Sequence, residues 1–109
     1  MILDKYQIHV NNLFMRSPEP KDDELRIFLG IVGELGEVCE LVKKAIRDGI
    51  ENPDEWREKV ELEIGDALFY VAHLCNYYDF SLDEILEKNI EKLYDRKDRD
   101  VLGGSGDFR

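Results

Sequence analysis

Glu34-Leu35-Gly36-Glu37 and Glu63-Ile64-Gly65-Asp66 each set a carboxylate, two spacers and a second carboxylate in a row. Residues three apart share one face of an α-helix, so each stretch, read as helix, points both acids the same way. Two such helices side by side converge four acidic groups on one spot. That crowding costs free energy unless a cation sits there. The alternative is a pair of solvated acidic faces, since 25 residues are Asp or Glu and Glu37 and Glu40 also lie three apart. Two features favour the cation. On a helical wheel Glu34 falls inside the edge of the apolar stripe formed by Phe28, Ile31, Leu35, Val38, Val42 and Ile46, with Glu37 on its rim. Glu63 falls beside Trp56, Tyr70 and Leu74, and few basic residues share these faces. Hard carboxylate oxygens suit magnesium or manganese. A di-iron bundle would pair Glu with a Glu-x-x-His motif. Neither pair has His at that place, and His73, seven residues after Asp66, reads as an ordinary polar surface histidine.

Around these stretches the spacing predicts four helices. The first runs from about Leu3 to Met15 and ends at Ser17-Pro18-Glu19-Pro20, because proline denies the preceding residue its helical conformation. The second is capped by Asp22 or Asp23 and runs to about Asp48, with Gly49 as a left-handed stop. Asn52-Pro53-Asp54-Glu55 opens the third, which continues to about Tyr78. Ser81-Leu82-Asp83-Glu84 opens the fourth, Leu82 to Asp98. No stretch alternates with period two, so the fold class is all-α, a four-helix bundle. Gly30, Gly33 and Gly36 each cost roughly 1 kcal/mol against Ala within a helix. They point to close approach to this backbone, by a ligand or by a neighbouring helix. The wide apolar arc of the second helix points to a homo-oligomer.

The bulk numbers narrow the partners. With 25 acidic against 15 basic residues and a net charge of -10, the chain lacks the positive surface that nucleic acid requires. Cys39 and Cys75 fall in apolar helical stretches and read as two reduced core thiols of a cytosolic protein. Met1 to Lys5 has no signal-peptide pattern, and the longest apolar run, Ala67 to Ala72, is far too short to span a membrane.

On the fourth helix Asn89 falls among inward-facing Ile85, Leu86, Ile90 and Leu93, with Lys92 and Arg96 following in line. An amide, an ammonium and a guanidinium so placed can all donate to phosphate oxygens. They can equally complement the helix dipole and pair with local acids. Tyr70, one turn beyond Asp66, can offer a hydroxyl to a phosphate or a face to a base, or simply pack in the core. Residues 101–109, glycine-rich and ending Gly104-Ser105-Gly106-Asp107-Phe108-Arg109, read as a tail that is flexible when empty, beyond a domain of residues 1–100.

Gly33-Glu34-Leu35-Gly36-Glu37-Val38, then Glu63-Ile64-Gly65-Asp66-Ala67-Leu68-Phe69-Tyr70, resembles the MazG-like nucleoside triphosphate pyrophosphohydrolases, whose mark is E-x-x-E, a variable gap, then E-x-x-D. Lys88-Asn89-Ile90-Glu91-Lys92-Leu93 with Arg96 is similar to the family too, as are Tyr6-Gln7 and the tail, where similar members tend to carry Asn in place of Phe108. The resemblance implies a magnesium site at Glu34, Glu37, Glu63 and Asp66, with manganese a possible substitute. It implies phosphate contacts from Asn89, Lys92 and Arg96, and a tail that closes over the nucleotide with Arg109. The implied reaction cleaves a nucleoside triphosphate between the α and β phosphates, in a homodimer or homotetramer. A metal-site glutamate, Glu37 or Glu63, would take the proton from water. The resemblance also covers relatives specialised for dUTP, dCTP or phosphoribosyl-ATP, and the fold can serve a non-catalytic regulatory protein. No residue announces a base preference.

Overall fold

The chain folds as four helices in the computed structural model, which describes residues 2–109: α1 (Ile2–Leu13), α2 (Asp23–Asp48), α3 (Pro53–Tyr77) and α4 (Leu82–Asp98). A 3-10 turn at Pro20–Asp22 precedes α2, and no strand occurs among the described residues. Asn52, Ser81 and Gly49 start and end helices as the sequence predicts, whereas α2 begins at Asp22–Asp23 without the side-chain cap expected there. Asn52 accepts from the Glu55 N–H at 3.2 Å and Ser81 from the Glu84 N–H at 3.3 Å, each satisfying an otherwise unpaired first-turn donor. Gly49 takes φ +82, a conformation that suits glycine, and its N–H closes α2 on the Ala45 carbonyl at 2.9 Å. At the first residue of α2, the buried Asp23 carboxylate accepts from the Ser17 N–H at 2.7 Å and pins the linker from α1.

α2 and α3 form an antiparallel hairpin, which brings the two acidic stretches together. Its register is marked by Trp56, whose indole N–H donates to the Leu41 carbonyl at 3.2 Å, by Tyr70 over Gly30, and by the Tyr78 hydroxyl donating to Glu24 at 2.6 Å. The remaining core lies where α1 crosses α3 and the start of α4. Val10, Ala72, Cys75 and Leu82 are buried there under Leu3, Tyr6 and Phe69. Buried Gln7 ties these elements through its carboxamide. It donates to Asn76 and to the Phe80 carbonyl, each at 2.9 Å, and accepts from the Leu82 N–H at 2.8 Å.

α4 packs chiefly on α1, and the arrangement is open. The radius of gyration is 17.2 Å, against about 13 Å for a compact domain of this length. Several sequence expectations change, the first of them because of this openness. Asn89, Leu86 and Ile90, read as inward-facing, are exposed in a single chain. Cys39, read as a core thiol, is exposed because the hairpin covers only one side of α2, whereas Cys75 is buried. His73, read as a surface residue, is buried where the linker from α1 crosses α3. The glycines divide. A side chain at Gly30 would strike Tyr70, while nothing stands within 4 Å of a Cβ at Gly33 or Gly36.

Candidate metal and phosphate site

Glu34 from α2 and Glu63 and Asp66 from α3 each bring a carboxylate oxygen to one place, all within 4.8 Å of one another. Glu34 and Glu63 are half-buried and Asp66 is exposed. Burial pushes the Glu34 carboxyl up, and its hydrogen bond with Glu63 and the charges of Asp66, Glu63 and Glu37 push the same way. Among the described residues no Lys or Arg forms an ion pair with any of the three. Three uncompensated hard oxygens suit a magnesium or manganese ion and could hold one. Glu37 lies outside the converged set and is exposed. Three residues beyond Glu34, it is turned about 60° around α2, which carries it toward the rim of the cluster.

A cleft of about 340 Å³ adjoins the carboxylates, lined by Glu34, Asp66, Phe69 and Tyr70. Gly30 gives Tyr70 its place, since a Cβ there would lie 2.4 Å from ring atoms Cδ1 and Cε1. Phe69 braces Tyr70 edge-on, with centroids 5.6 Å apart. Tyr6 of α1 is near enough that, after burial, the Asp66 charge raises its hydroxyl pKa.

The basic residues gather elsewhere. Lys92 lies 3.2 Å from the Asp107 carboxylate. Arg96, its side chain 5% exposed, donates to that carboxylate at 3.3 Å and to the Asp107 carbonyl at 2.9 Å. Hydrogen bonds from Lys92 and then Arg96 hold the Asp107 carboxyl below its ordinary range. Arg109 folds back within the tail onto the carbonyls of Val101 at 3.1 Å, Leu102 at 2.9 Å and Gly106. One chain thus gathers three carboxylates on the α2–α3 hairpin and, apart from them, the Lys92–Arg96 pair on α4, where Asn89 stands exposed on the same helix. α4 does not pack substantially against that hairpin. Sequence reading missed Asp107, whose contacts span 11 to 15 residues and leave no periodic signal.

Residues 23–100 match the family model described as the MazG nucleotide pyrophosphohydrolase domain, a span holding every site residue from Glu34 to Arg96. Over 85 residues, 76% of this chain and 74% of the relative, the sequence is 42% identical to the Gene 37 protein of Mycobacterium phage L5. No solved structure matches.

Proposed function

As this chain belongs to the MazG nucleotide pyrophosphohydrolase domain family, we propose that it hydrolyses nucleoside triphosphates, ribo or deoxy, between the α and β phosphates, releasing the monophosphate and pyrophosphate. The observation that carries this reading is the convergence of Glu34, Glu63 and Asp66 within 4.8 Å, with no Lys or Arg among the described residues in an ion pair with them. Those three, with Glu37 at the rim, would hold magnesium, for which manganese can substitute. The ion supplies charge neutralisation at the phosphoryl oxygens and a more acidic water.

The chain's own residues do the rest. Glu37 or Glu63 takes the proton from the attacking water as general base. Lys92, Arg96 and Asn89 donate to the phosphate oxygens, which need cationic partners in so acidic a protein. Tyr70 forms one wall of the cleft and turns its hydroxyl or face toward the nucleotide. Residues 1–100 make the catalytic domain, and the tail 101–109 brings Arg109 to the bound substrate. The exposed apolar faces of α2 and α4 pack in a homodimer or homotetramer, and a second copy completes the cationic side of the site. Among the described residues no helix is long and apolar enough to cross a membrane. That fits a cytoplasmic enzyme acting on free nucleotides.

Pyrophosphate release with magnesium, measured across common and damaged nucleoside triphosphates, tests the proposal. Turnover should fall at least ~100-fold in Glu63→Gln and Glu37→Gln proteins that keep their helical circular dichroism. Absence of wild-type turnover on every nucleotide, with magnesium or manganese, would overturn it.

A further inference from the structure

A second cavity, of about 240 Å³, opens farther along the α2–α3 seam, where the linker from α1 crosses it. Asn11, Phe14, Asp23, His73 and Tyr77 are among its walls. Helical periodicity sets it in line with the carboxylate cleft. Asp66, Tyr70, His73 and Tyr77 follow one stripe of α3, and Glu34, Gly30, Ile27 and Asp23 follow the facing stripe of α2. Seven residues of helix carry His73 about 10 Å from Asp66, roughly the reach from a nucleotide's phosphates to its base.

The polar groups of this cavity are unevenly committed. The Asn76 carboxamide accepts from Gln7 Nε2 and donates to the Gln7 carbonyl, each at 2.9 Å. Asp23 accepts from Ser17 and lies 3.8 Å from Arg16. His73 is different. It is 9% exposed, and its Nδ1 is buried with no hydrogen-bond partner. Its ring is fixed by stacking on Phe14, centroids 3.5 Å apart at 12°, with the Arg26 guanidinium 5.6 Å over the Phe14 ring. Burial lowers the His73 pKa and favours the neutral imidazole, which can donate through one nitrogen and accept through the other. A buried ring nitrogen without a partner costs stability in the free protein. Nδ1 itself is closed off from the cavity, so a planar polar heterocycle reaches it only as the wall gives locally, but the His73 residue lines that wall together with Asn11, an exposed residue of α1.

We propose that this cavity receives the nucleobase of the triphosphate, that His73 and Asn11 hydrogen-bond its polar edge, and that base selection is made here. The proposal rests on the triphosphate reading above. Calorimetric titration with non-cleavable α,β-methylene triphosphates carrying each common base, and with tripolyphosphate, separates the two. Magnesium is present throughout, and wild type is compared with His73→Phe and Asn11→Ala. His73→Phe keeps a ring on Phe14 and removes both nitrogens. Wild type should separate the bases by about tenfold, the worth of one buried hydrogen bond, and His73→Phe should erase that separation while binding tripolyphosphate as before. The same substitution should raise the melting temperature of the free protein by about 4 °C, because it removes an unpaired polar atom. Base ranking that survives in both variants, wild type that binds every base alike, or an equal loss for tripolyphosphate would each overturn the base pocket while leaving the triphosphate reading intact. Wild type that binds neither nucleotide nor tripolyphosphate would overturn both. Should His73→Phe fail to fold, Asn11→Ala, at an exposed position, decides by the same criteria.

Discussion

Gly30 and Gly33 lie one turn apart on α2, yet alanine at each should act with opposite sign. A helical Gly→Ala change ordinarily gains about 1 kcal/mol from backbone entropy. At Gly33 nothing stands within 4 Å of the new methyl, so the gain is kept. At Gly30 the methyl would lie 2.4 Å from Tyr70 Cδ1 and Cε1 and 2.7 Å from Cγ. The ring must retreat by about 1 Å to reach ordinary contact, and overpacking of this kind costs about 1–3 kcal/mol. Gly30→Ala should therefore be net destabilising by up to about 2 kcal/mol, with a difference of about 1–3 kcal/mol between the two variants. Urea denaturation at fixed protein concentration measures both. The decisive arm repeats Gly30→Ala in a Tyr70→Ala background. With the ring gone the clash vanishes, and the double-mutant cycle should return a coupling of about 1–3 kcal/mol. A coupling near zero, or Gly30→Ala as stabilising as Gly33→Ala, would refute the claim that this glycine exists to seat Tyr70 beside the carboxylates. A destabilising Gly33→Ala that deepens with protein concentration would place a second copy on that face.

Gln7→Ala strips partners from the Leu82 N–H, the Phe80 carbonyl and the Asn76 carboxamide together. It should cost about 3 kcal/mol by urea titration, while Trp56 fluorescence in the native baseline, reporting the α2–α3 turn, stays as it was. Hydrogen bonds from Ser17 hold Asp23 below the usual carboxylate range. A depressed folded pKa stabilises fully above the unfolded value and fades as pH falls through the folded one. Wild type should therefore lose stability below about pH 4, and Asp23→Asn should flatten that part of a melting-temperature profile. Magnesium at about 100 times its dissociation constant should add about 2.7 kcal/mol of stability to wild type. Glu34→Gln and Asp66→Asn should reduce that gain, which thermal melts with and without chelator will show.

The helices were legible because their signals are local. Asn52-Pro53 and Ser81 announce starts within three residues, and Gly49 announces a stop. The converging carboxylates were legible because spacing three on two helices requires only that those helices pair. His73, Asp107 and the division among the glycines were not. Each depends on which segment crosses which: Phe14 reaching His73, the tail returning to Arg96, and Tyr70 falling on Gly30 but nothing on Gly33 or Gly36. Hydrophobic periodicity gives the buried face of a helix in whatever assembly covers it, so it marked Ile90 and Leu86 as inward although a single chain leaves them exposed.

Two independent features of the single chain ask for the same remedy. Phe28, Leu35 and Val42 on α2 and Ile85, Leu86 and Ile90 on α4 form exposed apolar faces that a lone soluble domain rarely sustains. Separately, the carboxylates on the hairpin and the cations on α4 are not packed together, although a metal-bound triphosphate would need both at once. Within a net charge of -10, Lys92 and Arg96 pair only with Asp107 among the described residues, and a phosphate would compete for the same donors. Covering the apolar faces with a second copy of the chain would bring another α4, with its Lys92 and Arg96, near a hairpin. Apolar burial and phosphate binding would then be coupled. Binding of tripolyphosphate with magnesium should promote assembly, and dilution to monomer should weaken phosphate binding more than metal binding.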